Sequence, residues 1–283
     1  MATNVSQRRV WKLRESIKRC YDDFIIDLSN GGYIDEDMQM VADHIKQHRK
    51  CQQLLVQQNQ ITKTGASYLA TALKRNTCLQ KLNIGNNQIG DQGVEYLVEP
   101  LFFDNDTLIK LHLQSNSITE KGAEYLAEML RYNPAILKLG LDYNQIGDKG
   151  VDKICSALNL NENTRLKALY LDSNKITDDG ACYLAELLQS NQSLIGFTLA
   201  INDISDSGVQ QLIQTLIDSN PRITGFNIFS NKRITDASLD SFLQLFNQSR
   251  RLNLYKLYDC GFSENGKDQL KAVAECKGFD LYV

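Results

Sequence analysis

Asp142 and Asp172 each stand one residue after a Leu-x-Leu pair, Leu139-x-Leu141 and Leu169-x-Leu171. Paired carboxylates can do acid–base work. In equivalent positions of adjacent strands they would lie about 5 Å apart. On an open face solvent is expected to keep both ionised, which predicts a solvated binding surface rather than a catalytic pair. Three lysines, Lys81, Lys110 and Lys138, form a similar series, each directly before a leucine. The three histidines are His44, His48 and His112. His44 and His48 are four apart on one helical face, a spacing that metal sites use. Zinc takes three or four ligands, and no cysteine or carboxylate pair accompanies the two histidines, so no metal is expected. Gly261-x-x-x-x-Gly266-Lys267 matches the phosphate-loop pattern, but Asp268 occupies the place of the hydroxyl that should hold magnesium. Both glycines also have a structural explanation in the periodicity described next, so no nucleotide and no cofactor is expected. Ser-His-Asp and Cys-His spacings are missing, and the sequence shows no enzyme.

The residues that must position these groups recur throughout the chain. Leu166 to Leu188 reads Leu-x-x-Leu-x-Leu-x-x-Asn-x-Ile-Thr, then a helical stretch with Ala181, Leu184, Ala185 and Leu188 three and four apart. Its first half has the period of a short strand, its second half that of a helix. Equivalent positions are Asn59, Asn87, Asn116, Asn144, Asn174, Asn202, Asn231 and Cys260, at intervals of 28, 29, 28, 30, 28, 29 and 29. One unit cannot bury its apolar face alone, so the copies must stack. The asparagine is expected to point inward and satisfy backbone groups where the chain leaves the sheet. Thr62, Thr119, Thr177 and Ser205 suit helix N-caps, and an acidic residue often follows, where the helix dipole favours it. Gly65, Gly93, Gly122, Gly150, Gly180 and Gly208 are expected to let helix and strand layers approach closely.

This pattern resembles the leucine-rich repeat, and its length and helical second half resemble the ribonuclease-inhibitor-like class. The resemblance implies an α/β solenoid with a curved parallel sheet inside and helices outside, about eight repeats plus caps, in one domain over 1–283. Within it, 1–24 reads as an N-terminal capping helix, 25–53 as a degenerate first repeat, 54–251 as regular repeats, and 252–283 as a C-terminal repeat and cap. The class includes ribonuclease inhibitor, the sensor arms of NOD-like receptors, the Ran GTPase-activating proteins and tropomodulin-like actin caps. These share a scaffold and differ in what they grip.

The chain has 283 residues and a formal net charge of −3, which gives no reason to expect nucleic acid. Its seven cysteines are odd in number and lack C-x-x-C spacing; Cys155 and Cys182 read as reduced core thiols. The start lacks an apolar secretory core and no stretch approaches membrane-spanning length. The expectation is a cytoplasmic monomer. In the first 24 residues, Val10, Leu13, Ile17, Cys20, Tyr21 and Phe24 form one apolar stripe opposite six basic residues. A cap over the first repeat is the favoured reading, because a solenoid end must be shielded; a basic helix lying on an anionic membrane is the rival. At the other end, the alternation of Phe279, Leu281 and Val283 predicts a last edge strand.

Side chains flanking the inward leucines should stand in columns on the concave sheet. Lys81, Lys110 and Lys138 then make a basic ladder beside His112, while Asp142 and Asp172 face the same side. The second half gathers Tyr143, Tyr170, Ile201, Phe229, Leu254 and Tyr258, which the repeat's own packing does not ask for. Exposed aromatics among polar groups are the usual anchors of a protein interface. The expected function is noncovalent binding of a protein partner in the concavity. Alternatives are regulation of a small GTPase or action as a microbial effector on a host protein.

Overall fold

The computed structural model describes residues 2–47, 50–74, 76–102, 104–161, 164–219, 222–248 and 254–283, with the side chains of 2–6, 20–23 and 254–255 outside that description. Ten short parallel strands form one sheet in chain order: β1 Ile25–Asp27, β2 Gln53–Leu55, β3 Lys81–Asn83, β4 Lys110–His112, β5 Lys138–Gly140, β6 Ala168–Tyr170, β7 Gly196–Thr198, β8 Gly225–Asn227, β9 Leu254–Lys256 and β10 Asp280–Tyr282. Every pair is in register, so Leu54, Leu82, Leu111, Leu139, Leu169, Phe197 and Phe226 form one inward row. Outside the sheet run α1 Ala2–Asp23, α2 Asp35–Gln47, α3 Lys63–Leu73, α4 Gly90–Val98, α5 Glu120–Tyr132, α6 Gly147–Leu160, α7 Asp178–Ser190, α8 Asp206–Asp218, α9 Leu239–Gln248 and α10 Glu264–Lys277. The core is a single continuous cluster between the two layers.

The asparagines do turn inward. Asn144 donates from its amide to Leu113 O at 3.1 Å and Leu141 O at 2.8 Å, while its Oδ1 accepts from Asn116 N and Ile118 N, both at 3.0 Å. One side chain thus serves its own repeat and the one before it. The last member is weaker: Cys260 Sγ reaches Ile228 O at 3.7 Å, and burial pushes its thiol up to about 11. A second series joins the helix ends to the following strands. Asn105 donates to Leu73 O and Asn76 O, and Asn133 donates to Leu101 O and Asn105 O. Its members Asn76, Asn105, Asn133, Asn161 and Asn191 are all buried. Their intervals of 29, 28, 28 and 30 were visible in the sequence.

The acidic residues at the helix starts do more than complement the dipole. Asp91 Oδ1 accepts from Thr119 N at 2.7 Å and Gly122 N at 3.0 Å of the next repeat, and its Oδ2 accepts from Thr119 Oγ1 at 2.7 Å. Asp35, Asp148, Asp178 and Asp206 hold the threonine or serine that follows in the same way. Those hydroxyls are the N-caps of their own helices, as expected. This contact adds a second reason for Gly65, Gly122, Gly180 and Gly208, whereas Gly93 and Gly150 crowd only against Ile89 and Ile146 and the neighbouring helix. A β-carbon at Gly122 would stand 2.5 Å from Ile118 Cγ2 and 2.6 Å from Asp91 Oδ1, so the position is cleared for the neighbouring repeat's carboxylate. Where Ser238 replaces glycine, the first turn tightens into a 3₁₀ turn over Asp236–Ser238, and Ser238 N bonds Thr235 O instead.

The ends close differently. Leu13 and Ile17 of α1 are buried in the core cluster, and Arg9 pairs with the buried Asp37 at 2.8 Å. Phe24, placed in the same stripe, is instead 45% exposed; Cys20 and Tyr21 have side chains outside the described residues. At the C-terminus β10 pairs parallel to β9, with Phe279 edge-on to Phe246 at 5.0 Å. Cys155 is buried, but Cys182 is half-exposed and accepts from Gln211, so only the first is a core thiol. His48 lies outside the described residues, among which no group of three potential metal ligands occurs. The phosphate-loop match is taken up internally: Ser263 N donates to Asp236, Gly266 N to Ser263 Oγ, and Lys267 pairs with Glu264. No helix among the described residues is long and apolar enough to cross a membrane.

Asn144→Ala would orphan two buried N–H groups, at about 1–3 kcal/mol each. Urea unfolding should show a loss of roughly 2–6 kcal/mol; a loss below about 1 kcal/mol would mean that the ladder contributes little.

Candidate functional site

Each strand presents two or three side chains to the concave side before the chain turns away. At that turn every repeat places one residue in the left-handed region: Gln58, Asn86, Ser115, Tyr143, Ser173, Ile201, Ser230 and Asp259, with φ between 52° and 58°. These residues directly precede the ladder asparagines, or Cys260 in the last case, so the bend that aims the amide inward also throws its neighbour out onto the rim. Asparagine, serine and aspartate tolerate this conformation; a β-branched side chain does not. Ile201 is therefore strained, and at 38% exposed its packing offsets the strain only in part. Tyr143 and Ile201 were expected only as exposed apolar residues of the second half, without a left-handed backbone. The run Gln, Asn, Ser, Ser, Ser, Asp in the other repeats was the available signal.

The register brings Lys81, Lys110 and Lys138 side by side on β3, β4 and β5. All three are half-buried, and among the described residues none has an ion-pair partner. His112 lies in the next column. Its ring fills the space left by Gly140, where a β-carbon would stand 2.9 Å from Nδ1. Burial first, and then the three lysines, lower its pKa, so it is neutral at neutral pH and adds no charge to the ladder.

The acidic pair departs from expectation. Asp142 and Asp172 are half-buried, and they are linked to the backbone rather than freely solvated. Asp142 Oδ1 accepts from Asp172 N at 3.1 Å, and Asp172 Oδ1 accepts from Ala200 N at 2.8 Å. Burial, and then the neighbouring Asp172 charge, push Asp142 up to about 6. Burial also raises Asp172, against the opposing pull of Thr198, Ala200 N and Lys256. Together with His112, Tyr143 and Tyr170 the two carboxylates line one shallow depression over β4–β6.

The aromatic residues form two groups, not one patch. Tyr143, 55% exposed, and the half-buried Tyr170 belong to the acidic depression. Phe229 and Tyr258 stack at 4.3 Å and 18° over β8 and β9, with Ile201 joined to Phe229 O through its backbone at 2.9 Å. The buried Ala200 separates the groups. Leu254 has a side chain outside the described residues.

Among known proteins, the model of the TMOD/LMOD leucine-rich domain matches residues 25–155, and a general leucine-rich-repeat model matches residues 162–185. The ribonuclease inhibitor of Sus scrofa is 39% identical over 88 residues, which is 31% of this chain and 19% of that protein. NACHT, LRR and PYD domains-containing protein 5 of Homo sapiens is 27% identical over 146 residues, 52% of this chain and 12% of that protein. The chain therefore spans a minor part of the relatives it matches. A solved structure of leiomodin-1 actin-binding site 2 aligns at 19% identity with a TM-score of 0.46, covering 53% of this chain and 86% of that one.

Two outcomes follow from this geometry. Ile201→Asn should raise stability by about 1–2 kcal/mol, the cost of a left-handed β-branched residue, measured by denaturant unfolding; no gain would place the strain elsewhere. Asp142, with a folded value of about 6 against an ordinary 3.8, contributes stability below pH 3.8 that is lost as pH rises through about 6. The stability of Asp142→Asn relative to wild type should thus improve by on the order of 1 kcal/mol from pH 4 to pH 7.5. A difference that is flat with pH would mean that the carboxyl titrates normally.

Proposed function

From the premise that this chain is a leucine-rich-repeat protein of the ribonuclease-inhibitor-like class, we propose that it binds a protein partner noncovalently through its concave face. The observation that carries this reading is the rim of exposed apolar side chains that the solenoid does not use. Ile201 holds an unfavourable backbone and stays 38% exposed, and Tyr143 and Tyr258 are 55% and 41% exposed on the same side. Large apolar residues kept partly exposed, two of them against the preference of their own backbone, point to selection by something outside the chain.

The Phe229–Tyr258 stack supplies a rigid apolar surface, and the charged columns beside it would set orientation. Exposed aromatics of this kind are where binding energy concentrates in protein interfaces. Regulation of a small GTPase and action as a delivered effector are narrower forms of the same reading and differ only in the partner; a hydrolysis assay over a panel of small GTPases separates the first.

Replacing Tyr170, Phe229 and Tyr258 together by alanine should abolish capture of the partner from a native lysate. The melting temperature should fall by only a few degrees, because each side chain is partly exposed. Capture at wild-type levels by the folded triple variant counts against the concave face.

A further inference from the structure

Charge changes sign along the concave face, and the order of the change is fixed by strand register. Over β3–β5 stand three lysines without ion-pair partners among the described residues. Four residues further along their strands, after β5 and β6, come Asp142 and Asp172, linked through the Asp172 backbone. Over β8–β9 comes the stacked Phe229–Tyr258 pair. Like charges directly opposite each other on neighbouring strands repel. The lysine ladder and the acidic pair are each unfavourable in isolation and would each be relieved by an opposite charge from outside.

We propose that this face takes an extended polypeptide segment of a partner protein, running across the strands, acidic where it meets Lys81, Lys110 and Lys138, basic where it meets Asp142 and Asp172, and apolar where it meets Phe229 and Tyr258. The inference rests on the concave-face reading above and adds the chemistry of the partner. A uniformly anionic ligand such as a nucleic acid or a phospholipid surface would be attracted at the lysine end of β3–β5 and repelled about 14 Å away, at the far end of β5 and β6. Only a heteropolymer can reverse its charge within that distance.

The spacing fixes the order of side chains. Parallel strands lie about 4.8 Å apart, so six steps from β3 to β9 span about 29 Å, and the four-residue offset between the lysine column and the column of aspartates and aromatics adds about 13 Å along the strands. Same-side residues of an extended chain recur every ~6.8 Å. Two acids at alternate positions then fit the ladder, a basic residue follows about four positions later at the aspartates, and an apolar residue about four positions further meets the stack. The direction is thus acid-x-acid-x-x-x-base-x-x-x-apolar, oblique to the strands, from β3 towards β9.

A fluorescein-labelled synthetic peptide of that order, with Gly/Ser spacers, is titrated against the full chain by anisotropy at low and high salt. The controls are a peptide of the same composition in which the acids and the base exchange places, a twelve-nucleotide oligo-dT, and phosphatidylserine-containing vesicles. The ordered peptide should bind at least about tenfold more tightly than each control. The Lys81→Ala/Lys110→Ala/Lys138→Ala variant, with an unchanged circular dichroism spectrum, should lose about tenfold in affinity for it. Lys110→Glu should regain affinity when one peptide acid is changed to lysine. Equal binding of the rearranged peptide, tighter binding of oligo-dT or vesicles, no saturable binding of the ordered peptide, or an unaffected lysine variant overturns the inference. The two readings part in the lysate experiment: capture lost with the aromatic triple variant but kept by the lysine variant leaves concave binding standing and removes this charge order.

Discussion

A backbone that leaves a sheet in the protein interior must find partners for its N–H and C=O groups, and here an asparagine amide meets that demand once per repeat. Its two hydrogens and its oxygen serve carbonyls and amides of its own repeat and of the preceding one. Buried backbone groups left unpaired are costly, so the amide sets where the turn falls, which residue before it is forced outward, and how far apart repeats lie. The strand register and the concave columns follow from that spacing. The aspartates at the helix starts perform the same service on the outer side, tying each N-cap to the previous repeat.

Much of the fold was legible because its determinants are periodic. Leu-x-Leu followed by asparagine at a nearly constant interval specifies strand, turn and stacking together, and the N-cap hydroxyls were placed correctly from their position alone. What escaped were contacts whose two ends lie about one repeat apart. The glycines looked like a matter of layers alone, although Gly65, Gly122, Gly180 and Gly208 also leave room for an aspartate of the preceding repeat. The second asparagine series was equally periodic, but its residues follow helices of unequal length, where polar residues are ordinary.

The site was legible as composition and less so as environment. The lysine column emerged as drawn, since register alone decides it. Asp142 and Asp172 were misjudged, because a sequence column shows which way a side chain faces but not how deeply neighbouring strands shelter it. Each carboxylate accepts an N–H of the next strand, which favours the charged form, but burial outweighs that pull and raises its titration towards neutrality. The aromatic residues expected as one patch fall into two groups with the buried Ala200 between them.

Since each inner amide engages only its own and the preceding repeat, the solenoid's cohesion is a chain of pairwise couplings with no long-distance reinforcement. The final coupling is a thiol at 3.7 Å where the others are amides near 3.0 Å. Thermal fraying would accordingly begin at the carboxyl-terminal coil and advance inward one rung at a time. The Phe229–Tyr258 stack lies at that loosest margin, while the lysines lie three rungs deeper. A ligand clasping both would act as a staple, stiffening the protein at the end where it is most inclined to open.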